Sequence, residues 1–286
     1  MLHLLVSATL LLASGTVSGA DVSLVGRYTL PAEGKTYGGL SAIHVSDDGT
    51  EMIAVSDRGT ITQGTITRNA DGQIVDIAVT PPTPITPYPY DTRHSLNDSE
   101  GIAVAPDGTI YISFESFTRI GKFAGIGARE EMIPRPLEFS GLQNNAGLEA
   151  LAIDAEGRLY TIPERSGRWD TPFPVYRYDG QSWTTPYAIP RTESFLVVGA
   201  DFGPDGMLYL LERDFSGIGF LTRVRRVDFD AQTSETVMQT GLGVHGNMEG
   251  ISVWQNAAGE IIMTLIADDN FRSFLNNEIA EYRIDG

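Results

Sequence analysis

The chain has 286 residues, 42% of them hydrophobic, enough to bury a large core. It has no cysteine, which excludes a disulfide framework and thiolate metal chemistry. Its net charge of −17 disfavours nucleic acid and anionic membranes as partners, and anionic substrates too unless a bound cation intervenes.

Residues 1–20 contain no Asp, Glu, Lys or Arg and hold an apolar run over 4–13. Ser18 and Ala20 stand at the small-residue positions of a cleavage site. Residues 1–20 therefore read as a secretory signal, and 21–286 as one domain, periplasmic or secreted. The alternative, a membrane anchor, suits the run less well because it is short for a span, and no later segment is apolar enough for one. A monomer is expected.

Residues 98–113 show the unit from which the chain is built. Ile102 and Val104 alternate with small residues, as in a strand. Pro106, Asp107 and Gly108 make a tight turn, and the β-branched and aromatic run 109–113 returns as a hairpin partner. The same hairpin recurs at 41–57, 149–164, 198–212 and 249–269. Its turn glycines, Gly49, Gly108, Gly157, Gly206 and Gly259, are 59, 49, 49 and 53 residues apart. A period of this size, with room for four strands, marks a β-propeller.

Further strands are expected at 119–124 and 131–139 in the second repeat, at 174–179 and 183–189 in the third, and at 221–229 and 235–239 in the fourth. The last repeat offers only three, at 250–254, 261–267 and 278–284, and residues 23–30 supply the missing outer strand, closing the ring. The fold class is therefore all-β, a propeller of five four-stranded blades. Six blades is the alternative if the long first interval hides one. That interval holds the proline-rich stretch 81–89, read as an extended surface loop that leads through Tyr90 and His94 to Glu100, either a lid or a spacer.

The first strand of each blade lines a propeller's channel, so Ser41, Glu100, Glu149, Val198 and Glu249 converge on one mouth. Glu100, Glu149 and Glu249 would repel one another there unless a cation binds or their pKa values rise. Oxygen donors with few histidines select a hard cation, Ca²⁺ before Mg²⁺. The alternative is that some of these glutamates bond amides of the neighbouring blade. A second ring follows the second strands: Asp57 and Arg58, Glu115, Glu164 and Arg165, Glu212 to Asp214, and Asp268 to Asn270. Ion pairs between blades account for Glu164 and Glu212. Asp57, Asp268 and Asp269 carry charge beyond that need, and Arg58, Arg165 and Arg213 have the fork that grips an oxyanion. The candidate catalytic residues are Asp57, Arg58, Arg213, Asp268 and Asp269, and the candidate metal ligands are Glu100, Glu149 and Glu249. His94 and His245 lie close to the mouth in sequence, but each reads as a loop histidine rather than a base. There is no Gly-x-Ser-x-Gly elbow, no phosphate-cradling glycine loop and no histidine metal motif.

Asp-Ser-Glu-Gly-Ile-Ala-Val at 98–104, Gly-Leu-Glu-Ala-Leu-Ala-Ile-Asp at 147–154, Leu-Leu-Glu-Arg-Asp-Phe at 210–215, Asn-Met-Glu-Gly-Ile-Ser-Val at 247–253 and Ile-Ala-Asp-Asp-Asn-Phe at 266–271 resemble the phytase-like domain family, labelled "esterase-like activity of phytase". The resemblance runs over about 39–285. It implies an exported bacterial propeller with phosphatase or esterase activity, and it assigns no catalytic residue. Val198 and Ser41 stand where two further acidic residues would be, which leaves a three-glutamate site. Two functions follow. One is a Ca²⁺-dependent hydrolase of a small-molecule ester or phosphoester, in which the cation polarises the substrate oxygen and activates water. The other is a non-catalytic periplasmic binding or scaffold propeller with a structural Ca²⁺.

Overall fold

A computed structural model describes residues 22–30, 38–87, 97–142, 147–269 and 277–285. The five turn glycines all take φ between +71° and +85°, the left-handed region that a side chain disfavours. Each therefore marks a tight turn between an inner strand and its neighbour.

β1 (Val22–Thr29) comes first. The first blade follows as β2 (Leu40–Val45), β3 (Glu51–Ser56), β4 (Thr60–Arg68) and β5 (Ile74–Val79), with a short β6 (Thr83–Pro84) beside β4. The second is β7 (Ser99–Val104), β8 (Ile110–Phe114), β9 (Arg119–Phe123) and β10 (Glu131–Met132). The third is β11 (Leu148–Ile153), β12 (Leu159–Pro163), β13 (Phe173–Tyr178) and β14 (Trp183–Ile189). The fourth is β15 (Leu196–Phe202), β16 (Leu208–Phe215), β17 (Phe220–Asp228) and β18 (Thr233–Gln239). The fifth is β19 (Asn247–Gln255), β20 (Ile261–Asp268) and β21 (Glu278–Ile284), and β1 completes it by pairing with β21 from Val22↔Ile284 to Thr29↔Glu278. All neighbours are antiparallel. The inner strands β2, β7, β11, β15 and β19 each touch the next, and β19 returns to β2. The ring has five blades; the six-bladed alternative is excluded.

The core is five apolar wedges, one between each pair of adjacent blades. Trp254 and Ile266 of the fifth blade pack with Ile43 and Met52 of the first. Val55 and Ile61 meet Ile112 and Phe114, Ile120 and Phe139 meet Leu151 and Tyr176, Ile162 and Phe173 meet Leu208 and Leu210, and Tyr209 and Val224 meet Met263 and Tyr282. Each blade is stabilised by two neighbours, so removing one interface exposes two faces.

Two expectations need correction. The outer strand of the second blade is only Glu131–Met132, followed by a 3₁₀ turn at Leu137–Gly141, not a strand to Phe139. Pro134 and Pro136 lack the amide hydrogens that a ladder requires. The proline-rich stretch is not simply a surface loop: β6 adds to β4, Ile85 is buried, and Thr86 bridges to Arg129 of the second blade. The rest of the loop read as a lid or a spacer, residues 88–96, and the signal at 1–20 lie outside the described residues. No helix among the described residues is long and apolar enough to cross a membrane.

Candidate functional site

Every inner strand is broken at its start by a β-bulge. The pairing register jumps between Leu40 and Ala42, Ser99 and Ile102, Leu148 and Ala150, Val197 and Gly199, and Met248 and Gly250. The residues at the bulges are Ser41, Glu100, Glu149, Val198 and Glu249, the first ring read from the sequence. A bulge releases its residue from strict alternation and re-aims the side chain.

The residue after each bulge is Ala or Gly, because the next blade's backbone comes close there. A Cβ on Gly101 would stand 2.8 Å from the carbonyl oxygen of Glu149, and one on Gly250 would stand 2.7 Å from Cα of Ala42. Close backbones crowd the carboxylates at the mouth.

All of those side chains but Val198 open into a cavity of about 260 Å³. Ser41, Glu100, Glu149 and Glu249 line it from the bulges; Asp57, Glu115, Glu164 and Asp268 line it from the ends of the second strands. Asp98, Arg165 and Arg213 complete the wall, so eight carboxylates face two arginines. Val198 is buried in the core and takes no part.

The charges divide the cavity in two. On one side, Arg213 Nη1 donates to Glu249 and to Asn247 Oδ1, while its Nη2 lies 3.4 Å from Glu164 Oε1. Arg165 Nε donates to the other oxygen of Glu164 at 3.0 Å. On the other side, Asp98, Glu100 and Glu115 each offer a carboxylate oxygen within 4.8 Å of the others. Ser116 Oγ donates to Asp98 at 2.9 Å, and no basic side chain bonds Glu100 among the described residues.

Burial raises the pKa of Glu100 well above the usual carboxylate range, and Glu149, Asp98, Glu249 and Glu115 add to the rise. Glu149 is raised in the same way, by burial and then by Glu249 and Glu164, with Arg213 opposing. Burial raises Glu249 to about 7 even though Arg213 pulls it down. Asp57 is raised to about 6 by burial and by Asp268. Burial and then Asp98 raise Glu115. Crowding of like charge out of water is the common cause.

The cavity brings together Glu100, Glu149, Glu249, Asp57, Arg213 and Asp268 from the two expected sets. It does not include Arg58 or Asp269; Asp269 instead accepts from the backbone N–H of Gly39 at 3.1 Å. The tightest carboxylate group combines Glu100 with Asp98 and Glu115, whereas Glu249 sits against Arg213. Glu164 does pair between blades, through Arg213. Glu212 does not: Arg223 and Arg225 of its own blade's next strand donate to it. His245 is buried between Tyr282 and Glu278 as a structural histidine, and His94 lies outside the described residues.

Asp98 was not singled out from the sequence. Its signal is positional: its carbonyl accepts the N–H of Glu115, so it sits opposite the end of the second strand.

This architecture defines a five-bladed propeller with an acidic, bulge-lined channel mouth. A model of the phytase-like family, described as "Esterase-like activity of phytase", matches residues 35–271, and the chain belongs to that family. Among solved structures it is similar to a protein of unknown function from Dyadobacter fermentans, at 11% identity and TM-score 0.48 over 92% of this chain and 86% of that one. It is also similar to a streptogramin B lyase, at 11% identity and TM-score 0.43 over 93% and 98% of the two chains. A PQQ-bound aldose sugar dehydrogenase from Streptomyces coelicolor is similar at 15% identity and TM-score 0.42 over 96% and 99%. No match was found among curated proteins.

Proposed function

We propose that the chain is an exported, divalent-cation-dependent hydrolase of small carboxylic or phosphoric esters, working at the channel mouth. One observation carries the reading: a compact all-carboxylate group, Asp98, Glu100 and Glu115, shares a single cavity with an arginine held in place by two further carboxylates. The family description supports an ester as the substrate.

The donor set fits a hard cation. Three carboxylates offer oxygen alone, and their number and spacing suit the adaptable shell of Ca²⁺ better than the strict octahedron of Mg²⁺. Burial and then neighbouring carboxylates raise the pKa values of Glu100 and Glu115, and a cation would relieve that crowding. When bound, the cation supplies Lewis acidity toward the substrate's carbonyl or phosphoryl oxygen.

The chain's own groups do the rest. Arg213 is fixed by Glu249 and Glu164 and reaches the cavity with 22% of its side chain exposed, so its charge faces a developing oxyanion with little reorganisation. Asp57, raised to about 6, is a carboxylate tuned to accept a proton from water near neutral pH.

Turnover of 4-nitrophenyl acetate and 4-nitrophenyl phosphate tests the reading, with and without chelator. At least one should be hydrolysed, lose its rate on chelation, and regain it with Ca²⁺ more fully than with Mg²⁺. No turnover in any state, or a rate indifferent to chelator, rejects it and leaves a binding propeller.

A further inference from the structure

A second cavity, of about 330 Å³, adjoins the acidic mouth between the second and third blades. Arg165 lines both and forms their shared wall. The chemistry changes across it. Leu142, Pro163, Pro172, Pro174 and Tyr176 form the apolar part of the side cavity's lining, Ser166 and Thr171 add hydroxyl-bearing residues, and no carboxylate lines it among the described residues.

The walls are stiff. Three are prolines with fixed φ. Tyr176 packs edge-on against Phe139 at 5.3 Å, and Phe139 packs in turn against Trp183. The connection after β12, which forms the outer wall, is closed on itself by a hydrogen bond from Ser166 Oγ to the carbonyl of Thr171.

The two cavities are also adjacent along the chain. Pro163 ends β12 and lines the side cavity, whereas the next residue, Glu164, lines the acidic mouth and holds Arg213. A ligand whose polar centre lies against Arg213 and Arg165 therefore has, on the far side of Arg165, a space free of acidic side chains among the described residues, with one wall of Leu, Pro and Tyr.

We infer that this side cavity is a specificity subsite that takes an apolar acyl or aryl substituent of the ester. The inference rests on the hydrolase reading above and narrows its substrate class. The acidic mouth disfavours a substrate with several anionic groups, and the side cavity rewards one with a single polar centre and one hydrocarbon arm. Arg165 stands where the two parts join.

The test compares 4-nitrophenyl hexanoate, 4-nitrophenyl acetate and ethyl acetate. Each fully buried methylene is worth about fourfold, so partial burial of the longer chain should give the hexanoate a KM about tenfold below that of the acetate. Thr171→Trp, which fills the cavity, should abolish that advantage while ethyl acetate keeps its KM within about twofold. A rise in KM for both nitrophenyl esters alike would place the aryl group there and also support the subsite. An unchanged KM for all three esters in a folded Thr171→Trp protein would overturn it. Leu142→Gln serves as the second variant should Thr171→Trp fail to melt cooperatively. Saturation-transfer NMR with 1-hexanol reads the cavity without turnover. Binding of 1-hexanol that Thr171→Trp removes, with no ester hydrolysed, would keep the subsite and reject the hydrolase. Hydrolysis with no binding of 1-hexanol and no chain-length effect would do the reverse.

Discussion

Glu212 and Glu100 are both carboxylates drawn into the propeller ring, and their surroundings differ in sign. Glu212 has no exposed surface, and its two oxygens accept from Arg223 Nε at 2.7 Å, Arg225 Nε at 2.9 Å and Arg225 Nη2 at 2.5 Å. The charges around Glu100 that bear on it most are all carboxylates: Glu149, Asp98, Glu249 and Glu115. The chain thus neutralises one buried carboxylate with two arginines on an adjacent strand and leaves the other crowded by its own kind. A charge arrangement that costs stability and opens to a cavity is the mark of a site rather than of a scaffold. The Glu212 cluster serves the fold; the Glu100 cluster is set for a ligand.

Opposite responses to mutation would sharpen this contrast. Glu212→Ala leaves two buried guanidinium groups without their acceptor. It should cost about 3–5 kcal/mol in urea unfolding, equally with and without Ca²⁺. A loss below about 1 kcal/mol would show that the cluster does not anchor the blade.

Arg213→Met removes the positive charge between Glu249 and Glu164. It should lower kcat on the ester substrate by about a hundredfold, the scale of a lost oxyanion donor. The Ca²⁺ concentration for half-maximal stabilisation should move much less, because the carboxylate group lies on the other side of the cavity. Equal loss of both would mean that the two halves act as one.

Glu100→Gln should do the reverse of Glu212→Ala. In chelator it removes repulsion and should raise the protein's Tm. In Ca²⁺ it should lose most of the cation's stabilisation, as differential scanning calorimetry would read. Destabilisation in chelator would place Glu100 with Glu212 as a structural residue.

The pH response should be small and of unusual sign. Asp57 is raised to about 6 and Glu249 to about 7, so the native state holds more protons than the unfolded chain between about pH 4 and 7. The contribution of these groups to stability falls as pH rises through that window. The chelated protein's Tm should therefore drop by a few degrees from pH 5 to pH 7.5, and saturating Ca²⁺ should flatten the slope. A chelated Tm that rises with pH would show the cluster to be neutralised by other means.

The repeat was legible because its physics is local. A turn glycine, a β-branched return strand and a fixed interval reveal the blades, and the strand deficit of the last blade reveals β1 as its closing partner. The two acidic rings were legible for the same reason. The partners of those acids were less so. Glu164 and Arg213 are 49 residues apart, one repeat interval, so equivalent places in adjacent blades meet across the mouth. Glu212 pairs in register with Arg223 across the β16–β17 hairpin, a match that counting back from the Phe215↔Phe220 pair would have given. The bulges had only a faint trace, a small residue after each ring position, and their alignment needs the neighbouring backbone to explain it. The truncated β10 was missed because the apolar pattern outweighed two prolines. The side cavity had no sequence signal: it joins Leu142 of one blade to Tyr176 of the next, and nothing local links them.

The closure of the ring by β1 also fixes an order of events. β1 leaves the ribosome early and β21 late, with Ser23 bonded to Asp285 across 262 positions of sequence. Until they meet, the wedge between the fifth and first blades is open, and Asp57 and Asp268, which lie on those two blades, stay apart. The crowding of Asp57 by Asp268 thus arises when the ring closes, whereas Asp98, Glu100 and Glu115 already meet on the single hairpin of β7 and β8. A cation held by those three carboxylates would act on one blade, ahead of the slow, long-range docking of the two ends. Calcium would then appear in refolding experiments as a change in an early phase with the final, ring-closing phase unchanged, so the meeting of the two ends would set how quickly a nascent chain becomes a closed ring.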